Sequence, residues 1–268
     1  MRDEKVTVKT FQQMKDEKEK ITMTTAYSYP LACIIDEVGI DSILVGDSLG
    51  MTVLGHKNTL KVVLEDSIRI TQAVSRGVKR AFLIGDLPFL TYGVNVEETK
   101  RNAGLLVKKG DCKAVKLEGG KERLEEVEAI KSIGIPVLGH LGLTPTYLNI
   151  FGGYKVQGKK LDDAERILKD AKLLEVAGVF AIVLESIPWK LARQITDELS
   201  IPTIGIGAGE FCDGQVLVID DILGLNVEFK PKFVKQYTNL RESVKKAVEE
   251  YSEEVKSGKF PSEDYRYD

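Results

Sequence analysis

The sequence predicts an α/β protein built as one (β/α)8 barrel, and three observations lead there. Its 268 residues fall in the size range of a single barrel of this kind, about 250 residues. From residue 21 onward, short β-branched or aliphatic runs alternate with amphipathic stretches, separated by Gly, Pro or Asp. The runs Ile43-Leu44-Val45 and Ala181-Ile182-Val183-Leu184 are apolar on both faces, as parallel strands covered by helices and by neighbouring barrel strands must be.

Taken in order, strands are expected at Ile21–Thr25, Ser42–Val45, Arg80–Ile84, Ala114–Leu117, Pro136–Gly139, Phe180–Leu184 and Pro202–Gly205, with an eighth around Gln215–Ile219. Between them, Leu64, Ile68, Thr71 and Val74 share one helical face, as do Leu124, Val127 and Ile130, so these segments read as outer-ring helices. A helix from Leu161 to Ala177 opens on Asp162 and Asp163 and stops before Gly178, which suits a C-cap. Tyr237, Val244, Val248, Tyr251 and Val255 form a stripe on a Lys/Glu-rich C-terminal helix, a surface for packing against the barrel or another subunit. Residues 1–268 are expected to form a single domain, with a charged N-terminal lead-in and a mobile tail after Ser257.

Composition narrows the function classes. A hydrophobic fraction of 43% supports a sizeable core, and a net charge of -3 from interspersed acids and bases offers no basic face for nucleic acid or an anionic membrane. The N-terminal segment is charged throughout, and no window reaches the roughly 20 apolar residues of a membrane span. A cytoplasmic protein acting on a small molecule is expected. Cys33, Cys112 and Cys212 are odd in number and far apart, so free thiols are expected in place of a disulfide framework or a zinc knuckle. His56 reads as an ordinary loop histidine. The glycines of Gly205-Ile206-Gly207-Ala208-Gly209 and Phe151-Gly152-Gly153-Tyr154 match neither a dinucleotide fingerprint nor a P-loop.

Chemistry concentrates at strand ends. Asp47 follows Ile43-Leu44-Val45-Gly46, Asp86 follows Leu83-Ile84-Gly85, Glu118 follows Ala114-Val115-Lys116-Leu117, and His140 and Glu185 continue the series. In a parallel barrel every strand C-terminus lies at one face, so these residues are expected around one pocket. An Asp at a strand-to-helix junction is also a common helix cap, but a set of five such residues makes that reading much weaker. Lys116 and Glu118, two apart on a strand, point to the same face; a structural ion pair is the plainer alternative. Several carboxylates without compensating cysteines favour a hard divalent ion, Mg²⁺ or Mn²⁺, over zinc. A 2-oxo acid chelates such an ion, and C3 deprotonation then needs a nearby base. Glu185 suits that role if burial raises its proton affinity, and Lys116 suits the developing oxyanion.

The strings VGDSLGM (45–51), GDLPF (85–89), VKLEGG (115–120), GHLGLTP (139–145), FGGYKVQGK (151–159), VLESIP (183–188) and GIGAGEFCDGQVLV (205–218) closely resemble ketopantoate hydroxymethyltransferases, in family order over about residues 20 to 235. The resemblance implies a TIM barrel of the phosphoenolpyruvate/pyruvate superfamily type, assembled as a homo-oligomer, often a decamer. It implies 3-methyl-2-oxobutanoate as substrate, 5,10-methylenetetrahydrofolate or a pterin analogue as one-carbon donor, and 2-dehydropantoate as product, on the way to pantothenate and coenzyme A. By motif, Asp47 and Asp86 match the Mg²⁺ ligands, with Glu118 bound to the metal directly or through water. Asp47, Ser48, Asp86 and Lys116 match the substrate contacts, His140 lines the pocket, and Glu185 matches the proton acceptor. Where many relatives carry an acidic-Met-Ile-x-His segment, this chain reads Asp66-Ser67-Ile68-Arg69-Ile70, a departure on the donor side of the pocket.

Two alternatives remain at this stage. One is a carbon–carbon lyase or mutase of the same superfamily, which would carry a KKCGH-like loop that has no counterpart here. The other is a noncatalytic metal- or metabolite-binding barrel, which would have lost the carboxylates this chain retains.

Overall fold

Eight parallel strands pair in chain order and close, β8 returning to β1, in the computed structural model, which describes residues 4–226 and 231–267. The strands are β1 (Ile21–Thr25), β2 (Ser42–Val45), β3 (Phe82–Asp86), β4 (Ala114–Glu118), β5 (Val137–Gly142), β6 (Ala181–Glu185), β7 (Thr203–Ile206) and β8 (Gly214–Leu217). The described residues fall into two compact units, divided between Val218 and Ile219. The barrel lies in the first.

Sequence patterning locates all eight strands, but several extend further at their C-terminal ends than expected. The chain continues in extended form through Asp86, Glu118, His140 and Glu185. These polar residues stay in the ladder because their side chains find partners inside the barrel, so ending the apolar run does not end the strand. Leu161–Ala177 is helical as expected, with Gly178 at φ +93 closing it. No helix separates β7 from β8. Residues 207–213 make that return through Gly207 (φ +62) and Gly209 (φ +84), and Asp213 Oδ2 accepts from Thr203 N–H at 2.8 Å. The GIGAG glycines thus belong to a tight connection, as their poor match to phosphate motifs suggests.

Register explains how the interior is divided. Residues alternating along each strand point inward, and Ile84 pairs with Ala114, Asp86 with Lys116, Leu138 with Ala181 and Glu118 with His140. The lower and middle layers are apolar: Met23, Leu44, Ile84, Ala114 and Leu138 belong to one buried cluster. The layers above them, at the C-terminal ends, are ionic.

The N-terminal face is closed by a helix that patterning did not reveal. In α1 (Val8–Asp16), Phe11 and Met14 are buried, and Thr7 caps its start with Thr10. Phe11 meets the rings of Phe82 and Phe180 edge-on at 5.7 and 5.4 Å, and those two lie 5.6 Å apart. The surrounding charges made this stretch read as a solvated lead-in; two apolar residues one helical turn apart suffice to plug the barrel floor.

In the second unit, the helix Leu240–Ser257 is capped by Asn239 and ended by Gly258 at φ +73. Its Val244, Val248, Tyr251 and Val255 are exposed. Phe260, beyond Ser257 in the segment expected as a tail, packs against Tyr251 at 5.7 Å and Tyr265 at 5.6 Å. No helix among the described residues is long and apolar enough to cross a membrane.

Candidate active site

Lys116 stands at the centre of the C-terminal half of the barrel, 3% exposed. Its Nζ lies 2.9 Å from Asp86 Oδ1, 3.2 Å from Glu118 Oε1 and 3.3 Å from His140 Nδ1. Burial by itself would lower the lysine pKa, but the attraction of Asp86, Glu118 and Asp47 outweighs it and holds the ammonium charged well above the ordinary lysine range. The expected alternative of a Lys116–Glu118 ion pair is therefore part of what is present, within a larger cluster.

Asp47 sits just past β2 and is held there by its own N–H, which donates to Asp86 Oδ2 at 2.9 Å. Its carboxyl is pushed up to about 8 by burial and then by the charges of Asp86 and Glu118, against the weaker pull of Lys116. Burial likewise raises Asp86, opposed by Lys116. Glu118 goes the other way. Burial would raise it, but Lys116, His140 and Thr146 hold it well below the usual carboxylate range. Thr146 donates both its N–H, at 2.9 Å, and its hydroxyl, at 2.6 Å, to Glu118 Oε2.

His140 links this cluster to Glu185. Its Nδ1 lies 3.4 Å from Glu118 Oε1 and its Nε2 3.2 Å from Glu185 Oε2. Burial and the Lys116 charge oppose protonation, yet the two carboxylates outweigh them and bring His140 up to about 9. Nδ1 faces both an ammonium and a carboxylate, so it accepts from Lys116 when neutral and donates to Glu118 when protonated. Glu185 ends β6 with its side chain 18% exposed, partly buried at the accessible side of the cluster. Ser48 opens the short helix Leu49–Thr52, and its Oγ is 2.6 Å from the Tyr27 hydroxyl.

All seven residues singled out in the sequence lie on β2 to β6 or at their ends, and contacts join six of them directly. Sequence reading missed the residues that hold them: Thr146, Tyr92, whose hydroxyl accepts from Glu118 N–H at 3.2 Å, and Thr59 beside Asp47. Thr146 lies directly after the GHLGLTP string, and only its neutral side chain kept it out of view. Tyr154, in the FGGYKVQGK string, donates to Met51 Sδ at 3.4 Å, and its phenol is raised by burial and by Asp47, Glu185 and Glu118.

The donor set suits a hard cation in part. Among the described residues, no three His, Cys, Asp or Glu side chains converge into a complete metal-binding group. Asp47 and Asp86 nevertheless present two buried carboxylates against one ammonium, and Asp86 Oδ1, though close to Lys116, makes no aligned hydrogen bond. Two carboxylates completed by water are what Mg²⁺ commonly accepts. Both oxygens of Glu118 already have protein partners.

The model of the family described as ketopantoate hydroxymethyltransferase matches residues 5–263. This chain belongs to that family. Relatives named 3-methyl-2-oxobutanoate hydroxymethyltransferase include one from Acetivibrio thermocellus, 56% identical over 97% of this chain and 92% of its own, and one from Syntrophus aciditrophicus, 53% identical over 98% and 97%. The barrel also resembles more distant structures. A phosphonopyruvate hydrolase crystallised with oxalate and Mg²⁺ superposes at TM-score 0.63 with 12% identity, covering 94% of this chain and 88% of that one. A 2,3-dimethylmalate lyase of the PEP mutase/isocitrate lyase superfamily superposes at 0.61 with 16% identity, covering 97% and 91%. At such identities these two likenesses speak to the fold alone.

Proposed function

We propose that this site transfers a hydroxymethyl unit to 3-methyl-2-oxobutanoate, giving 2-dehydropantoate for pantothenate and coenzyme A synthesis, with 5,10-methylenetetrahydrofolate or a pterin analogue as donor. The observation that carries this reading is the buried Asp47–Asp86–Lys116–Glu118–His140 cluster with Glu185 at its accessible side. Mg²⁺, held by Asp47 and Asp86, would supply Lewis acidity toward the substrate's oxo group and carboxylate. Lys116 faces the negative charge that builds on the oxo oxygen, and Ser48 donates to the substrate carboxylate. Glu185 takes the proton from C3, and His140 orients that carboxylate and shares its proton. C3 then bonds to the donor's methylene carbon as one of that carbon's two carbon–nitrogen bonds breaks; water adds its hydroxyl to the same carbon as the second breaks, and the two freed nitrogens take up the proton from C3 and the proton left by water. Glu118 holds Lys116 and His140 in place, and would reach the cation directly or through water.

Support comes from full-length similarity to relatives of that name, which favours this reading over a lyase or mutase. The family resemblance also leads us to propose a cytoplasmic homo-oligomer, a decamer, and one functional domain. The test is proton exchange. Protein with Mg²⁺ should exchange the C3 proton of 3-methyl-2-oxobutanoate into D₂O without any donor, as followed by NMR. Glu185→Gln should lower the rate by orders of magnitude while Mg²⁺ binding survives. Exchange that is absent in the wild type, or equal in the variant, would refute the mechanism.

A further inference from the structure

Arg123 lies outside every string that marks the family and outside the ionic cluster, yet its guanidinium reaches both supports of Glu118. It lies over the ring of Tyr92, 5.3 Å from the centroid, and the Tyr92 hydroxyl accepts from Glu118 N–H. Its Nη2 donates at 2.9 Å to the hydroxyl of Tyr147, the residue next to Thr146, whose N–H and hydroxyl clamp Glu118 Oε2. Nη1 is anchored on the other side by Glu126 at 3.1 Å.

The backbone is shaped around this side chain. A Cβ on Gly93 would stand 2.5 Å from Arg123 Nη1, and one on Gly119 would stand 2.8 Å from Arg123 Cγ. Both glycines have positive φ, +80 and +119. They directly follow Tyr92 and Glu118, so the slot for Arg123 is made by the same two turns that place its targets. A brace serving only the outer helix Leu124–Ser132 would need the Glu126 contact and nothing more.

We propose that Arg123 is a positioning residue for this active site: through Tyr92 and the Thr146–Tyr147 turn it fixes the orientation of Glu118, and through Glu118 that of Lys116 and His140. The inference rests on the proposed function for its kinetic arm, and on geometry alone for its spectroscopic arm. Loss of an outer-shell partner of this kind commonly costs about 10- to 100-fold in activity.

The experiment compares wild type with Arg123→Met at full length, by C3 proton exchange with Mg²⁺, by circular dichroism and by imidazole NMR. The chain has two histidines, so His140 is read against His56 as an internal control. The expected result is a folded variant whose kcat for exchange falls about ten-fold or more, with a smaller change in KM. The His140 signal should move and that of His56 should stay. A folded variant with wild-type kcat and an unmoved His140 signal would overturn the proposal. So would activity lost only in proportion to the unfolded fraction. If Arg123→Met does not fold, Tyr147→Phe carries the test, because it removes one hydroxyl and leaves the Arg123–Glu126 pair. Its kcat and His140 signal should change in the same directions, and no change in either would overturn the proposal. If the wild type itself shows no exchange, the proposed function fails while the His140 signal still decides the positioning role.

Discussion

Replacing Lys116 with methionine keeps most of the side chain's apolar length and removes its ammonium, which isolates what the charge contributes. Its Nζ lies 2.9 Å from Asp86 Oδ1 and 3.2 Å from Glu118 Oε1, in a site almost closed to water. With an effective dielectric of about 20, each contact is worth roughly 5 kcal/mol of gross attraction. Much of that is offset by the cost of desolvating the ions, and breaking a buried pair typically costs about 3–5 kcal/mol. The abandoned carboxylates limit the loss by taking a proton, at about 1.4 kcal/mol for each pH unit above their ordinary value. The sign follows from proton binding. In the wild type, Glu118 is already held below its unfolded pKa, so its contribution is present throughout neutral pH and is lost only as pH falls through that lowered value. In the variant, a carboxylate raised above its unfolded pKa makes stability fall as pH rises. The deficit should therefore reach about 3–5 kcal/mol at alkaline pH without divalent cation. It should shrink by about 2 kcal/mol or more two and a half pH units lower, and shrink again with saturating Mg²⁺. Urea unfolding followed by circular dichroism, at fixed protomer concentration, measures this. A deficit below about 1 kcal/mol, or one indifferent to pH, would show that the cluster does not depend on its lysine.

Three further outcomes are expected. Asp47, brought up to about 8 without a cation, should release most of one proton when Mg²⁺ binds at neutral pH and little above pH 8; calorimetry in buffers of different ionisation enthalpy reads the number, and no release at neutral pH contradicts the assignment. Gly142 has φ +97, and a Cβ there would collide with the Glu185 carbonyl oxygen, so Gly142→Ala should cost about 1–3 kcal/mol in unfolding free energy and slow C3 exchange by displacing Glu185. Cys112 and Cys212 are buried, the former pushed up to about 12 by burial, so at pH 8 a thiol reagent should titrate at most Cys33 in the native protein and all three cysteines after unfolding.

The barrel was legible because its signals are local. Strands buried on both faces must be continuously apolar, and Ile43-Leu44-Val45 or Ala181-Ile182-Val183-Leu184 shows that without any neighbour in view. The helix Leu161–Ala177 was legible to the residue, since its boundaries rest on Asp162, Asp163 and Gly178. Patterning failed where one or two residues act at a distance. Phe11 and Met14 amount to a faint signal in a charged segment until Phe82 and Phe180 supply the other side of the contact. The β7–β8 return departs from the expected alternation because its glycines permit a short path in place of a helix.

By itself the sequence determined the chemical inventory, which is carboxylates, a lysine and a histidine set at the ends of apolar strands, together with the family whose strings they occupy. Only the tertiary structure decided what each group is. Asp47, Asp86 and Glu118 look alike along the chain, yet Lys116, His140 and Thr146 hold Glu118 ionised, whereas burial raises Asp47 and Asp86 toward their protonated forms. Likewise the contacts of Arg123 and Thr146 come from distances across three different loops. The reason is physical: a residue's type sets which bonds it can make, but its charge state and orientation depend on burial and on neighbours that only closure of the barrel brings within reach.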